Sequence, residues 1–218
     1  MMIKNTKLTL LALTATLMAT QAQAQFAVGL HGGAAISRTD ATPNGTNAVY
    51  GLNGQYDALR YLSIRLNAVH GTLSGGDKAV PANMYYENNF YQADLNLKFY
   101  PVGIMKQSRT ETSLYYLSKI YAGVGIGVLN NNTKIHNVVA DVFNYKGNYK
   151  GTDYVVPVEF GIDIPLSRVF SDKGLSLNLN YRINYCGSDK VDGYDPNLAS
   201  NKSKDVYNAA TLGISYKF

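Results

Sequence analysis

Six charged residues sit at alternating positions within segments whose intervening residues are mostly apolar: Asp94 and Lys98 on one segment, Glu159 and Asp163 on another, Arg65 and Arg182 on two more. Side chains two or four residues apart along an extended chain share one face. These six can therefore meet in a common interior, where an unpaired charge is costly and pairing is the expected state. Two chemistries are open to such a set. One is a salt-bridge network that fixes shape; the other is a proton or small-ion path that opens when the bridges exchange partners. Arg182 is expected opposite Glu159 across a chain reversal, and Arg65 lies on the segment beside Asp94.

Other groupings carry weaker chemistry. Gly123, Gly125 and Gly127 have the glycine density of a phosphate loop, but that loop needs a strand-to-helix turn, and here the glycines fall on one face of a single strand. They read as packing space for bulky neighbours. His31, His70 and His136 stand on separate segments without a His or Cys at ligand spacing, so neither a metal nor any cofactor is expected. His70 is expected to point outward near the rim of its strand. Lipid hydrolases place catalytic His and Ser at such a rim, yet no His-x-Ser pair occurs here, and an interfacial histidine is the simpler account. Asp189, Asp192 and Asp195, with Gly193, do not match the ligand spacing of a calcium loop and read as solvated. No catalytic residue emerges, and the chain is expected not to be an enzyme.

The elements that would position the six charges are strands. Phe26 to Ile36, Ala48 to Asp57, Leu62 to Ala68, Tyr91 to Tyr100, Ile120 to Val128, Tyr154 to Ile164, Leu175 to Asn184 and Val206 to Phe218 all alternate with period two. In the last of these, Ala210, Leu212, Ile214, Tyr216 and Phe218 form an apolar face and Thr211, Gly213, Ser215 and Lys217 a small or polar one. Ala58 to Arg60 is a tight reversal, whereas Arg38 to Asn47, Ser74 to Asn89, Asn130 to Gly151 and Cys186 to Asp205 read as long polar loops. Within the third loop, Val138, Val139, Val142 and Phe143 form an apolar island, and Tyr85, Tyr86, Tyr145, Tyr149 and Tyr194 offer contact surface across the loops. Pro101 to Tyr116 is longer than a simple turn.

Compartment follows from the first residues and from what is scarce. Lys4 and Lys7, the apolar run Leu8 to Ala19, and Ala22-Gln23-Ala24 have the three parts of a secretory signal peptide over residues 1–24, leaving 25–218 as one domain. Removing those two lysines lowers a formal charge that is only +5, so nucleic acid is not an expected partner. Cys186 is the single cysteine and excludes an internal disulfide. The domain has no apolar run long enough for a transmembrane helix, so a membrane would have to be crossed by a closed barrel.

A secreted soluble barrel has the same period but the opposite polarity. Here the polar faces are mostly Asn, Ser, Gly and Gln with few charges, and total charged content is 16%, low for a water-facing surface. The 18 tyrosines suit a membrane interface. The expected fold is all-β, an eight-stranded antiparallel up-and-down transmembrane β-barrel, with the long loops external and a lumen filled by side chains.

On the strand count and the ending Ile214-Ser215-Tyr216-Lys217-Phe218, the chain resembles the small eight-stranded outer-membrane barrels of Gram-negative bacteria, the OmpA/OmpX-like membrane domains and related porin-family proteins. The resemblance implies an outer-membrane location, a C-terminal assembly signal at Ile214, Tyr216 and Phe218 read by the barrel-assembly machinery, and contact with outer-membrane lipid and lipopolysaccharide. A monomer with no attached cell-wall-binding domain is expected. The role it implies is structural or one of surface interaction; a narrow channel for small solutes or ions, and then a lipid-modifying enzyme, are the alternatives.

Overall fold

The computed structural model describes residues 26–77, 85–105, 112–136, 148–166, 173–193 and 204–218. Residues 1–24, expected as a signal peptide, lie outside them, as do Val138, Val139, Val142, Phe143, Tyr145, Tyr194 and Asp195.

Alternating apolar and polar residues give every strand two incompatible faces, and a sheet built from such strands separates them here by curling round on itself. The strands are β1 (Phe26–Arg38), β2 (Thr46–Leu59), β3 (Leu62–Gly76), β4 (Tyr85–Phe99), β5 (Ile120–His136), β6 (Tyr149–Pro165), β7 (Gly174–Cys186) and β8 (Val206–Lys217). They form a closed barrel in sequence order, antiparallel throughout. Closure comes from β1 on β8, in register from Ala27 opposite Lys217 to Arg38 opposite Val206. The Phe218 amide adds a last bond to the Phe26 carbonyl at 3.0 Å. No backbone edge is left between first and last strand, the condition for crossing lipid with strands.

Both chain ends of the barrel lie at one end, called here the terminal end; the other is the loop end. At the terminal end β2 and β3 join through Arg60 and Tyr61. The longer connection after β4 begins with a 3-10 turn (Pro101–Ile104) and ends with a short helix, α1 (Thr112–Leu117). The outer wall is apolar over the barrel's middle: Leu30, Leu52, Leu66, Leu95, Ile126 and Leu212 are all at least half exposed or close to it. No described helix is long and apolar enough to cross a membrane.

The strands are longer than expected. β5 and β6 have 17 residues each and β3 and β4 have 15, against the roughly 9 to 11 that suffice for a tilted crossing. Within the stretch expected as a loop between Ser74 and Asn89, Ser74 to Gly76 and Tyr85 to Asn89 are ladder, with Leu73 opposite Asn88 and Gly76 opposite Tyr85. Likewise Asn130 to His136 pairs with β4, and Asn130 to Thr133 pairs with β6 as well. In these extensions the faces exchange character. Leu73, Tyr86, Phe90, Leu129 and Val155 point inward and are fully buried, while Asn89, Asn130, Thr152 and Lys134 point outward and are exposed. Tyr86 is therefore part of an internal apolar cluster and not contact surface; its fellow tyrosines Tyr85 and Tyr149 belong to strands.

Candidate functional site

All six charged residues singled out in the sequence, together with Lys217, project into the lumen in its terminal and middle levels. The lumen is where each strand sends its alternate side chains, so the site is assembled from β2 to β8 with β1 contributing His31. Arg182 sits at its centre. Its guanidinium donates to Glu159 Oε2 at 3.0 Å and to Asp94 Oδ2 at 3.1 Å, and both carboxylates are closed off from solvent. Glu159 and Arg182 are register partners on β6 and β7, as their spacing suggests, whereas Asp94 reaches Arg182 across the barrel from β4. Arg65 does not pair with Asp94. It lies two residues out of register with it, opposite Asn96, and turns to Asp163 of β6 at 3.6 Å and Gln55 at 3.2 Å. Asp94 instead accepts from Asn67, Gln92 and Asn96 as well as from Arg182.

A second centre lies nearer the terminal end. Lys98 Nζ donates to Asp163 Oδ2 at 2.7 Å and to Gln55 Oε1 at 3.0 Å, and stands 3.5 Å from the centre of the Tyr121 ring. Tyr100 donates to the same Asp163 oxygen at 2.7 Å, and Asn178 donates to its other oxygen at 2.6 Å. A third pair, Lys217 with Asp57 at 2.6 Å, closes the terminal end and is the most accessible of the set. Asp57, Gln55, Tyr100, Tyr121, Asn178 and Asn180 are parts of the network that the charge pattern alone does not single out. Their inward phase on alternating strands is the signal that could have found them.

Among the described residues, four cations (Arg65, Lys98, Arg182, Lys217) thus meet four carboxylates (Asp57, Asp94, Glu159, Asp163). The balance matters because a surplus charge in a low-dielectric interior would be expensive, whereas a matched and hydrogen-bonded set roughly offsets its own desolvation. Little open space remains. A cavity of about 20 Å3 lies between His31, Arg65, Asn67, Arg182 and Thr211, room for little more than one water molecule. The glycines of β5 make this density possible: a Cβ on Gly125 would fall 2.0 Å from Asn96 Oδ1, and one on Gly123 2.8 Å from Glu159 Cγ.

The remaining candidates are scattered. His31 faces the lumen, with Nδ1 3.3 Å from the Asn53 amide. His70 faces outward between Tyr50 and Tyr91, ring centroids 5.2 and 4.2 Å away, and its Nδ1–H donates to the Phe90 carbonyl at 2.8 Å. It belongs to an aromatic band. His136 packs beside Tyr85. Among the described residues no three His, Cys, Asp or Glu side chains are grouped to hold a metal. Asp189 and Asp192 lie in the connection after β7. Asp192 is buried there, and Asp205, also buried, accepts the Val191 N–H at 2.8 Å. Ile214, Tyr216 and Phe218 point outward at the terminal end, the last two in edge contact at 5.2 Å.

A closed antiparallel barrel with an apolar outer wall and a neutralised polar lumen is the geometry of a protein that spans a membrane with strands. The outer membrane protein beta-barrel domain matches residues 8–218. The chain belongs to that family. Its place is accordingly the outer membrane of a Gram-negative envelope. Among solved structures it is similar to Ail, the attachment invasion locus protein of Yersinia pestis, at 8% identity and TM-score 0.50, over 89% of this chain and 99% of that one. It is also similar to Neisserial surface protein A, at 12% identity and TM-score 0.49, over 89% and 97% of the two chains. At such identity the likeness to Ail is one of fold. No curated protein matches the chain.

Proposed function

We propose that this outer-membrane barrel is a closed, non-enzymatic envelope protein whose lumen is a structural plug and whose work is done at its surface. The observation that carries this reading is the matched set of lumen charges, each held by at least one partner of opposite sign, in a space with room for about one water. A polar network of this kind fixes the distances between strands far apart in sequence, β4 with β7 and β3 with β6. Side chains fill the interior of an eight-stranded barrel, so small solutes have no ready path. Residues 1–24 direct export, the outward Ile214, Tyr216 and Phe218 present the closing strand to the assembly machinery, and the mature chain is a monomer in contact with outer-membrane lipid and lipopolysaccharide.

Replacing Glu159 by Gln removes one of the two carboxylates on Arg182 and tests the structural role directly. The expected result is a lower unfolding temperature, by the shift of the heat-modifiable gel band, with no steady conductance in planar bilayers for either protein. Unchanged stability in the variant would overturn the plug. Resolved conductance steps in the wild type would establish a channel instead, and loss of an acyl chain from lipopolysaccharide on expression would establish a lipid-modifying enzyme.

A further inference from the structure

Among the described residues the outer wall gathers three cations over the sector of β5, β6 and the entry to β8, whereas the loop end of β1 carries the single outward cation Arg38. Along β5 and β6 the outward residues run upward from Ile126 and Val128, and from Phe160, Val158 and Val156, to Tyr154. Above Tyr154 stand Thr152 and Asn130, register partners joined by a hydrogen bond of 3.0 Å, and above them Lys150, opposite Asn132. Lys134 lies diagonally beyond Lys150 on the same face, and both are exposed. Lys204, entering β8, brings its ammonium 3.2 Å from the Tyr154 hydroxyl and over the edge of that ring. The ring is fixed in place from behind: the Gly187 amide donates to the Tyr154 carbonyl at 2.8 Å, and a Cβ at Gly187 would lie 2.3 Å from the ring.

This vertical order is that of a lipid in a leaflet: chains, a polar junction, then charge. Lys150 is four residues from Tyr154, about 13 Å along the strand and about 10 Å along the membrane normal for a strand tilted near 40°. A headgroup phosphate at the level of Thr152 has Lys204 just below it and Lys150 just above, with hydroxyl and amide donors between. Elsewhere at the loop end, the outward residues of β2 and β3 that follow the aromatic band are Ala48, Thr46, Thr72 and Ser74, and β4 contributes Glu87. Glu87 lies opposite Lys134 and accepts from the Tyr85 hydroxyl at 2.8 Å. We propose that the outward face of β5 and β6 at the loop end is a binding site for the phosphate-bearing headgroup of an outer-leaflet lipid, with Lys150 and Lys204 as its ligands, Lys134 as a flanking cation and Tyr154 as its floor. The site rests on the membrane reading of the barrel and specifies which part of the wall selects a lipid.

The test is retention of bisphosphorylated lipid A by the full purified chain in detergent, read by native mass spectrometry. One retained molecule is expected, with affinity about 100-fold lower for K134A/K150A/K204A, at about fivefold per lysine. The corresponding triple arginine variant should retain binding, and lipid A stripped of its phosphates should bind the wild type no better than intact lipid A binds the alanine variant. Equal retention by the alanine variant, equal retention of dephosphorylated lipid A, or full displacement by inorganic phosphate would each overturn the site. Each variant is first checked for the heat-modifiable band, and K150A/K204A, expected about 25-fold weaker, replaces the triple variant if that one does not fold. A chain that stays soluble without detergent would overturn the membrane reading; a folded, detergent-dependent chain indifferent to phosphate overturns the site alone.

Discussion

The lumen has two storeys built on opposite principles. At the terminal and middle levels the inward side chains are charged or amide-bearing, gathered on Arg182, Asp163 and Asp94, and the outer wall is apolar. At the loop end Leu73, Tyr86, Phe90, Leu129, Val155, Val191 and Tyr207 make an apolar core inside the barrel, and the outer wall turns polar. The same eight strands pass through both. What changes is the surroundings of the outer wall. Where the outside is lipid, polar groups have only the lumen to pair in; once the strands leave lipid, the wall meets water and the interior can bury apolar surface as a soluble sheet does. Tyr207 spans the boundary, its ring 5.3 Å from Phe90 and its hydroxyl donating to Gln92, which in turn donates to Asp94 at 2.7 Å.

The comparison predicts different failures in the two storeys. Arg182→Met leaves Asp94 and Glu159 facing each other without their cation, and breaking a buried pair from one side costs about 3–5 kcal/mol. A drop of that size in barrel stability, measured by urea titration of the folded gel band, is the largest effect expected. Adding Asp94→Asn to the same chain should recover part of it, since three cations (Arg65, Lys98, Lys217) then meet three carboxylates (Asp57, Glu159, Asp163) and the lumen is balanced again. Phe90→Ala is expected to cost about 3 kcal/mol by opening a cavity, and to do so locally. Amide exchange should quicken at the loop end of β3, β4 and β8 while the amides around Asp94 and Arg182 keep their protection. If Phe90→Ala loosened both storeys alike, the boundary at Tyr207 and Gln92 would not be one.

Their legibility in the sequence differs for the same reason. The polar storey is plain because its outer face meets lipid: Tyr91, Ala93, Leu95, Leu97 and Phe99 alternate with Gln92, Asp94, Asn96 and Lys98, and the strand count and the lumen charges follow from that phase. Much of the strand length around the apolar storey, Ser74 to Gly76, Tyr85 to Asn89 and Asn130 to His136, reads as loop because the phase inverts there. Thr72, Leu73 and Ser74, like Glu87, Asn88 and Asn89, look like polar turn sequence unless the outside is taken to be water. Partner choice across the lumen was out of reach as well. Arg65 finds Asp163 three strands away, and Asp94 finds Arg182 likewise, because the tilt and stagger of a closed barrel, and not neighbouring register, decide which levels meet. Adjacent-strand reasoning suffices only where the partners are register partners, as Glu159 and Arg182 are.

The smallest expected effect concerns how the apolar storey is closed. Val191, in the connection after β7, is buried in the upper cluster; its carbonyl accepts from the side chains of Asn88 and Thr133, each at 2.9 Å, and its amide donates to Asp205. Burial, reinforced by the nearby carboxylates of Asp192 and Asp189, pushes Asp205 up to about 9 from an ordinary value of 3.8. A carboxyl whose folded value is raised binds its proton more tightly in the folded chain than in the open one. Its contribution is complete below about pH 4 and is lost as pH rises through about 9. Raising the pH across that window should therefore weaken protection of the Val191 amide beyond the ordinary base catalysis of exchange. Asp205→Asn, which keeps a carbonyl oxygen for the Val191 N–H but cannot ionise, should flatten that dependence and leave the Arg182 storey unaffected. A steep pH dependence persisting in Asp205→Asn would assign the closure to another group, and pH-dependent loosening around Arg182 would mean that the two storeys open together.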